Sequence, residues 1–240
     1  MKQQEVSFVL HLEELRKRLI VTLAAFLVSF FAAFLFVQDL YQWLVRDVEG
    51  KLTILAPSDV IWVYMAISGV FALAITIPVA AWQTWMFVKP ALKKTEYKAT
   101  MSFIPALAVL FAVGICFGYF IIYPMVMRFL EQMAAVNFET MYTADKYFTF
   151  MINMTVPFGL LFEMPVVVLF LTQIGLLNPQ RLAKGRKLAY FLLAIVAITI
   201  TPPDIMSDIL VIIPLFLLYE ISVTLSKFVY RKKVAQEATA

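Results

Sequence analysis

Charge is what this sequence has least of. Only 15% of its 240 residues are Asp, Glu, Lys or Arg, against about 25% in an ordinary soluble domain. The run from Ile61 to Val88 carries no charge across 28 residues. Charge-free runs of about 18 residues or more recur along the chain, which excludes a soluble globular protein and fits hydrocarbon as the solvent. Cysteine occurs once, at Cys116, and histidine once, at His11. That leaves no disulfide pair and no thiolate or imidazole cluster for a metal. With no HExxH or GxSxG motif, an intramembrane hydrolase has no catalytic set, so no enzyme activity and no cofactor are expected. The net charge of +4 is small, and its placement matters more than its size. No nucleic-acid partner is expected.

What is abundant is apolar, at 62% of residues. The pattern predicts an all-α membrane protein of one polytopic domain, residues 1–240, with six transmembrane helices. The spans fall at about 19–37, 61–88, 101–127, 147–176, 188–203 and 209–226, because backbone in lipid must satisfy its own hydrogen bonds. The first run exceeds a signal-peptide core of about 7–15 residues and reads as an uncleaved span. Orientation follows from Lys and Arg. Sixteen of the twenty lie in the N-terminal segment, the second-to-third and fourth-to-fifth connections and the C-terminal tail. The other four, Arg46, Lys51, Arg128 and Lys146, lie in the remaining connections. Positive charge stays inside, so both termini are expected in the cytoplasm, with 227–240 a basic cytoplasmic tail.

Proline breaks up these runs. Thr201, Pro202, Pro203 and Asp204 separate the last two spans, and two prolines cannot continue a helix. The fifth span, at 16 residues, reaches only ~24 Å against a hydrocarbon core of ~30 Å, which predicts a short fifth–sixth helical hairpin. Pro78, Pro105, Pro124, Pro157, Pro165 and Pro214 lie inside the other spans. Each either bends its helix, together building a concave bundle, or reflects the general tolerance of membrane helices for proline.

Four acids stand out. Glu163, in FGLLFEMPVVV near the middle of the fourth span, costs about 2.5–3.5 kcal/mol on insertion scales. It is either a polar anchor to a neighbouring helix or a contact for a substrate or partner helix. Glu220, in LLYEISV, lies nearer a span end, where a structural role weighs at least as much. Residues 1–18 read as a short amphipathic helix at the cytoplasmic surface that runs into the first span, with Phe8, Leu12, Leu15 and Leu19 on one helical face. Glu14 there stands four residues before Arg18 and Glu13 four before Lys17, spacing suited to intrahelical ion pairs. Glu96 is the only acid among Lys89, Lys93, Lys94 and Lys98.

HLEELRKRL at 11–19, the series Gln83, Trp85, Phe87, Pro90, Ala91, Leu92 and Glu96, FEMP at 162–165, TPPD at 201–204 and IPLFLLYEIS at 213–222 occur together and in this order in the TatC family. The chain resembles that family over almost its whole length. It departs in the first outer loop, where WLVRDVEGKL lacks a proline that some members carry. The resemblance implies a receptor subunit of the twin-arginine translocase in a bacterial-type plasma membrane, working with TatA/TatB-type single-span subunits as a homo-oligomer within the complex. Such a complex exports folded proteins on the proton-motive force. It implies that Glu14 and Glu96 bind the signal peptide's arginines, a pairing that can be bidentate and so distinguish arginine from lysine. Arg16 and Phe87 fall on the same surface by this resemblance. Glu163 matches the buried acid that meets a partner helix or inserted signal peptide, and Asp204 and Glu220 match other polar family positions. A rival from another class is an ion-coupled small-molecule transporter using Glu163.

Overall fold

A computed structural model describes residues 2–46, 48, 51–89, 101–135, 137–138 and 140–238; the side chains of 2–10, 232–233 and 235–238 lie outside that description. The described chain is helical and divides into two units, Met1–Ala108 and Val109–Ala240.

In the first unit, α1 (Lys2–Leu35) and α3 (Pro57–Val88) pack along each other, with the short α2 (Val37–Val45) against α3. No glycine or proline interrupts residues 2–38. The amphipathic segment and the first apolar run are therefore one unbroken helix, and no helix end marks the expected boundary at residue 18. Helix α3 starts at Pro57, and the Asp59 carboxylate accepts from the Leu55 and Ala56 amides at 3.0 and 2.9 Å. These bonds satisfy donors orphaned at the helix start. Ser68, Ala72 and Thr76 recur every fourth residue on the buried face of α3. Where lipid removes the hydrophobic drive for helix association, such small residues let backbones approach. Outward, Leu19, Leu23, Leu27, Phe31 and Leu35 are all exposed, an arrangement stable only against hydrocarbon.

The second unit contains the rest of α4 (Phe103–Phe117), a π turn at Gly118–Ile122, α5 (Tyr123–Ala134), α6 (Ala144–Phe162), α7 (Met164–Gln173), α8 (Pro179–Lys184), α9 (Arg186–Ile200) and α10 (Ile205–Ala238). Gly114 and Gly118 press against α6: a Cβ on Gly114 would lie 2.6 Å from the Phe158 carbonyl oxygen, and one on Gly118 2.8 Å from the Thr155 Cα. This is backbone-to-backbone packing that admits no side chain. In the π turn, the Tyr123 amide bonds the Gly118 oxygen five residues back, just before Pro124, which has no amide hydrogen to offer. The core gathers Ile122, Val126, Met154, Phe158, Leu193, Ala197, Val211 and Leu215. Two buried hydroxyls pair across helices: Thr172 and Ser226 lie 2.8 Å apart between α7 and α10.

Several expected boundaries change. The fourth segment is two helices, broken at Glu163 and ending at Gln173. Beyond it Gly175 takes φ 81° and the Leu176 amide returns to the Leu171 oxygen at 2.9 Å, a glycine-dependent helix stop. Of the six prolines, Pro78, Pro157 and Pro214 lie within continuous helices and Pro105 is the third residue of α4. Pro165 instead sits in the first turn after a break, the position where a missing donor costs least, and Pro124 follows the π turn within a continuous helical stretch. The third and sixth segments extend to Ala134 and Ala238. Among the described residues, five helical stretches are long and apolar enough to cross a bilayer. The expected fifth segment is α9, a helix of 15 residues, or about 22 Å, shorter than a full crossing. The Thr201 hydroxyl bonds the Asp208 carboxylate and the Asp204 carboxylate accepts from the Ser207 amide at 2.7 Å, closing the turn into α10.

Candidate functional site

Polar side chains in a membrane helix are informative because each must find a partner or face water. The first unit concentrates them at one end of the α1–α3 pair. His11, Glu14 and Arg18 stand at i, i+3 and i+7, one face of α1; Gln83 and Phe87 stand four apart on α3. Running the helices antiparallel brings the two sets together. The His11 and Phe87 rings stack with centroids 4.3 Å apart and planes 26° from parallel. Arg18 Nη2 donates to Glu14 Oε1 at 3.2 Å and Nη1 to Gln83 Oε1 at 3.2 Å. The Glu14–Arg18 pair predicted from spacing is therefore present, and it is tied to the second helix by an amide. Glu14 and Arg18 keep 31% and 24% of their side-chain surface exposed, so a ligand can reach the carboxylate. On the same stretch of α3, Trp82 and Trp85 lie 5.6 Å apart, with the Lys89 ammonium 5.6 Å over the Trp85 ring.

The expected site residues divide clearly. Glu14 and Phe87 lie within this cluster. Arg16 is exposed and, two positions from both Glu14 and Arg18, points away from it. Glu96, with Pro90, Ala91, Leu92, Lys93, Lys94 and Lys98, lies outside the described residues. His11, Gln83 and Arg18 belong to the cluster but were not singled out as site residues. Their signal was the i, i+3, i+7 spacing about Glu14 on one side and the i, i+4 spacing of Gln83 and Phe87 on the other.

The second unit holds two further acids in contrasting settings. Glu163 forms the joint between α6 and α7: its amide reaches back three residues to the Leu160 oxygen at 3.2 Å, and its carbonyl accepts from Val167 at 3.0 Å. One carboxylate oxygen, Oε1, is buried with no partner among the described residues. Glu220 is fully engaged. Oε2 accepts from Arg186 Nη2 at 2.8 Å and Oε1 from the Tyr190 hydroxyl at 2.5 Å, while the adjacent Tyr219 hydroxyl bonds the Leu182 carbonyl at 2.8 Å. Glu220 thus holds α9 to α10, and Asp204 caps α10; both act in the architecture.

The family model for Sec-independent protein translocase protein (TatC) matches residues 10–214. The chain belongs to the TatC family. It is 59% identical to the Sec-independent protein translocase protein TatCd of Bacillus subtilis, covering all of this chain and 99% of that one. It is 41% identical to TatCy of the same organism, covering all of this chain and 95% of that one. The fold matches a crystal structure of the twin-arginine translocase receptor TatC with a TM-score of 0.80 at 33% identity, over 91% of this chain and 99% of that chain. As a member of this family the chain is a multi-pass membrane protein and a translocase subunit rather than an enzyme. Ion-coupled solute transport through Glu163 finds no support among these relatives.

Proposed function

We propose that this chain is the receptor subunit of a twin-arginine translocation complex, and that Glu14, acting with Glu96, captures the paired arginines of an incoming signal peptide. The observation that carries the reading is chemical. The Glu14 carboxylate already holds a guanidinium, is partly open to water, and stands on α1, which packs against α3. An arginine from outside asks of that carboxylate what Arg18 asks now. Phe87 and the ring of His11 offer an apolar wall beside it. Both chain ends lie in the cytoplasm in this reading, with α9 counted as a short sixth crossing. The basic asymmetry along the sequence supports that topology.

Glu163 takes a separate role in this scheme. Its unpartnered buried oxygen suits a polar donor from the transmembrane helix of a TatA/TatB-type subunit or from an inserted signal peptide. Export of folded cargo then draws on the proton-motive force.

The test uses purified full-length protein in lipid nanodiscs and a synthetic signal peptide bearing two consecutive arginines. Replacing both arginines by lysines is expected to weaken binding by about 10-fold to 100-fold, the loss of bidentate charge-assisted bonds. Equal affinity for the two peptides would remove the receptor assignment.

A further inference from the structure

Arg18 stands where a ligand would. Its guanidinium can donate five hydrogen bonds in a planar fork, yet the described residues take only two, one at Nη2 and one at Nη1, both at 3.2 Å. Charge-assisted bonds of this kind settle at about 2.7–2.9 Å. Arg18 Nε is buried and has no partner among the described residues. The contact with Glu14 is single and long, so Arg18 holds the carboxylate without saturating it. Gln83 contributes a neutral oxygen from the other helix. It anchors the guanidinium without adding a charge that would compete with Glu14.

We infer that Arg18 is an internal stand-in for the ligand: it occupies Glu14 in the resting receptor, yields it to an incoming guanidinium, and stays in place on Gln83. This rests on the receptor reading above and adds to it a source of selectivity. A group that takes Glu14 must offer more than one long hydrogen bond. A guanidinium arriving fork-on offers two parallel bonds. An ammonium offers a strongly hydrated point charge with no matching fork and does not displace Arg18. The resting Glu14–Arg18 pair is also electrically neutral, so the carboxylate exerts little long-range pull on stray basic segments. Arg18 is thus a positioning residue that sets the threshold for capture.

Two substitutions in the same cluster are expected to move binding in opposite directions. Arg18→Gln frees Glu14 and tightens the diarginine peptide by about fivefold, the worth of a partly exposed ion pair. It tightens the dilysine peptide by more, so the preference for arginine narrows. Gln83→Leu removes the anchor that keeps a displaced Arg18 away from Glu14, and weakens the diarginine peptide by about threefold. Should Arg18→Gln fail to yield folded protein, Arg18→Lys, which keeps the charge and loses the fork, is expected to narrow the preference by a smaller factor. The measurement is fluorescence anisotropy of both peptides on full-length protein in nanodiscs, normalised to the monodisperse fraction. A fall in both affinities on Arg18→Gln with the arginine-to-lysine ratio unchanged, an unchanged ratio in Arg18→Lys, or movement of Arg18→Gln and Gln83→Leu in the same direction overturns the inference. A wild-type protein blind to the difference between the peptides removes the receptor reading and this inference together; a discriminating wild type with an unaltered ratio in the variants removes the inference alone.

Discussion

Two arginine–glutamate pairs among the described residues, Arg18–Glu14 and Arg186–Glu220, are built differently. Arg18–Glu14 joins neighbouring turns of one helix through a single bond of 3.2 Å. Arg186–Glu220 joins α9 to α10 at 2.8 Å, with the Tyr190 hydroxyl on the other carboxylate oxygen. Exposure does not separate them: the side chains keep 24% and 31% in the first pair and 39% and 36% in the second. Saturation does. Where every lone pair that matters has a donor, a carboxylate is a fastening. Where one long bond from a flexible arginine holds it, the same carboxylate is available for exchange.

The largest effect expected from breaking this contrast is at the exchangeable pair. Glu14→Ala combined with Glu96→Ala should cost diarginine peptide binding at least about 100-fold, because the guanidinium groups lose their opposite charges. Titration by anisotropy reads this directly, and retained affinity in the double variant would reassign the acids. Next comes the fastening. Glu220→Ala should lower the melting temperature in nanodiscs by about 2–4 °C and leave peptide affinity per folded molecule unchanged. A selective loss of peptide binding at full stability would place Glu220 in the binding surface. The smallest effect is at the wall beside Glu14. His11→Leu keeps an apolar contact for Phe87 and should change diarginine affinity by less than about twofold, whereas a tenfold loss would make His11 a direct ligand contact.

Much of the scaffold was legible without coordinates. Long apolar runs found the five helical stretches long enough to cross a bilayer, because lipid leaves a backbone no other regular option. The TPPD turn marked a real break, because a missing amide hydrogen is a local fact, whereas the break at Glu163 fell inside what reads as a single fourth span. The Glu14–Arg18 pair was legible for the same reason, since helical spacing alone brings the two side chains together. The amphipathic start was read as a helix running into the first span, and α1 is one helix from Lys2 to Leu35. The π turn at Gly118–Ile122 and the close seating of Gly114 and Gly118 on α6 were missed. A glycine's value there lies in a neighbour that hydropathy does not name.

Composition and local pattern alone determined that this chain is helical and lives in a bilayer, because each follows from interactions between residues close in sequence or from the solvent they require; the motifs from HLEELRKRL to IPLFLLYEIS added a resemblance to the TatC family, which the family model and the relatives establish. Tertiary structure alone decided that Arg18 reaches Gln83 65 positions away, that His11 stacks on Phe87, and that Glu220 is tied down by Arg186 and Tyr190. Those contacts depend on the register of one helix against another. That register is set by where small side chains let two backbones approach, a property of paired surfaces that neither helix carries by itself.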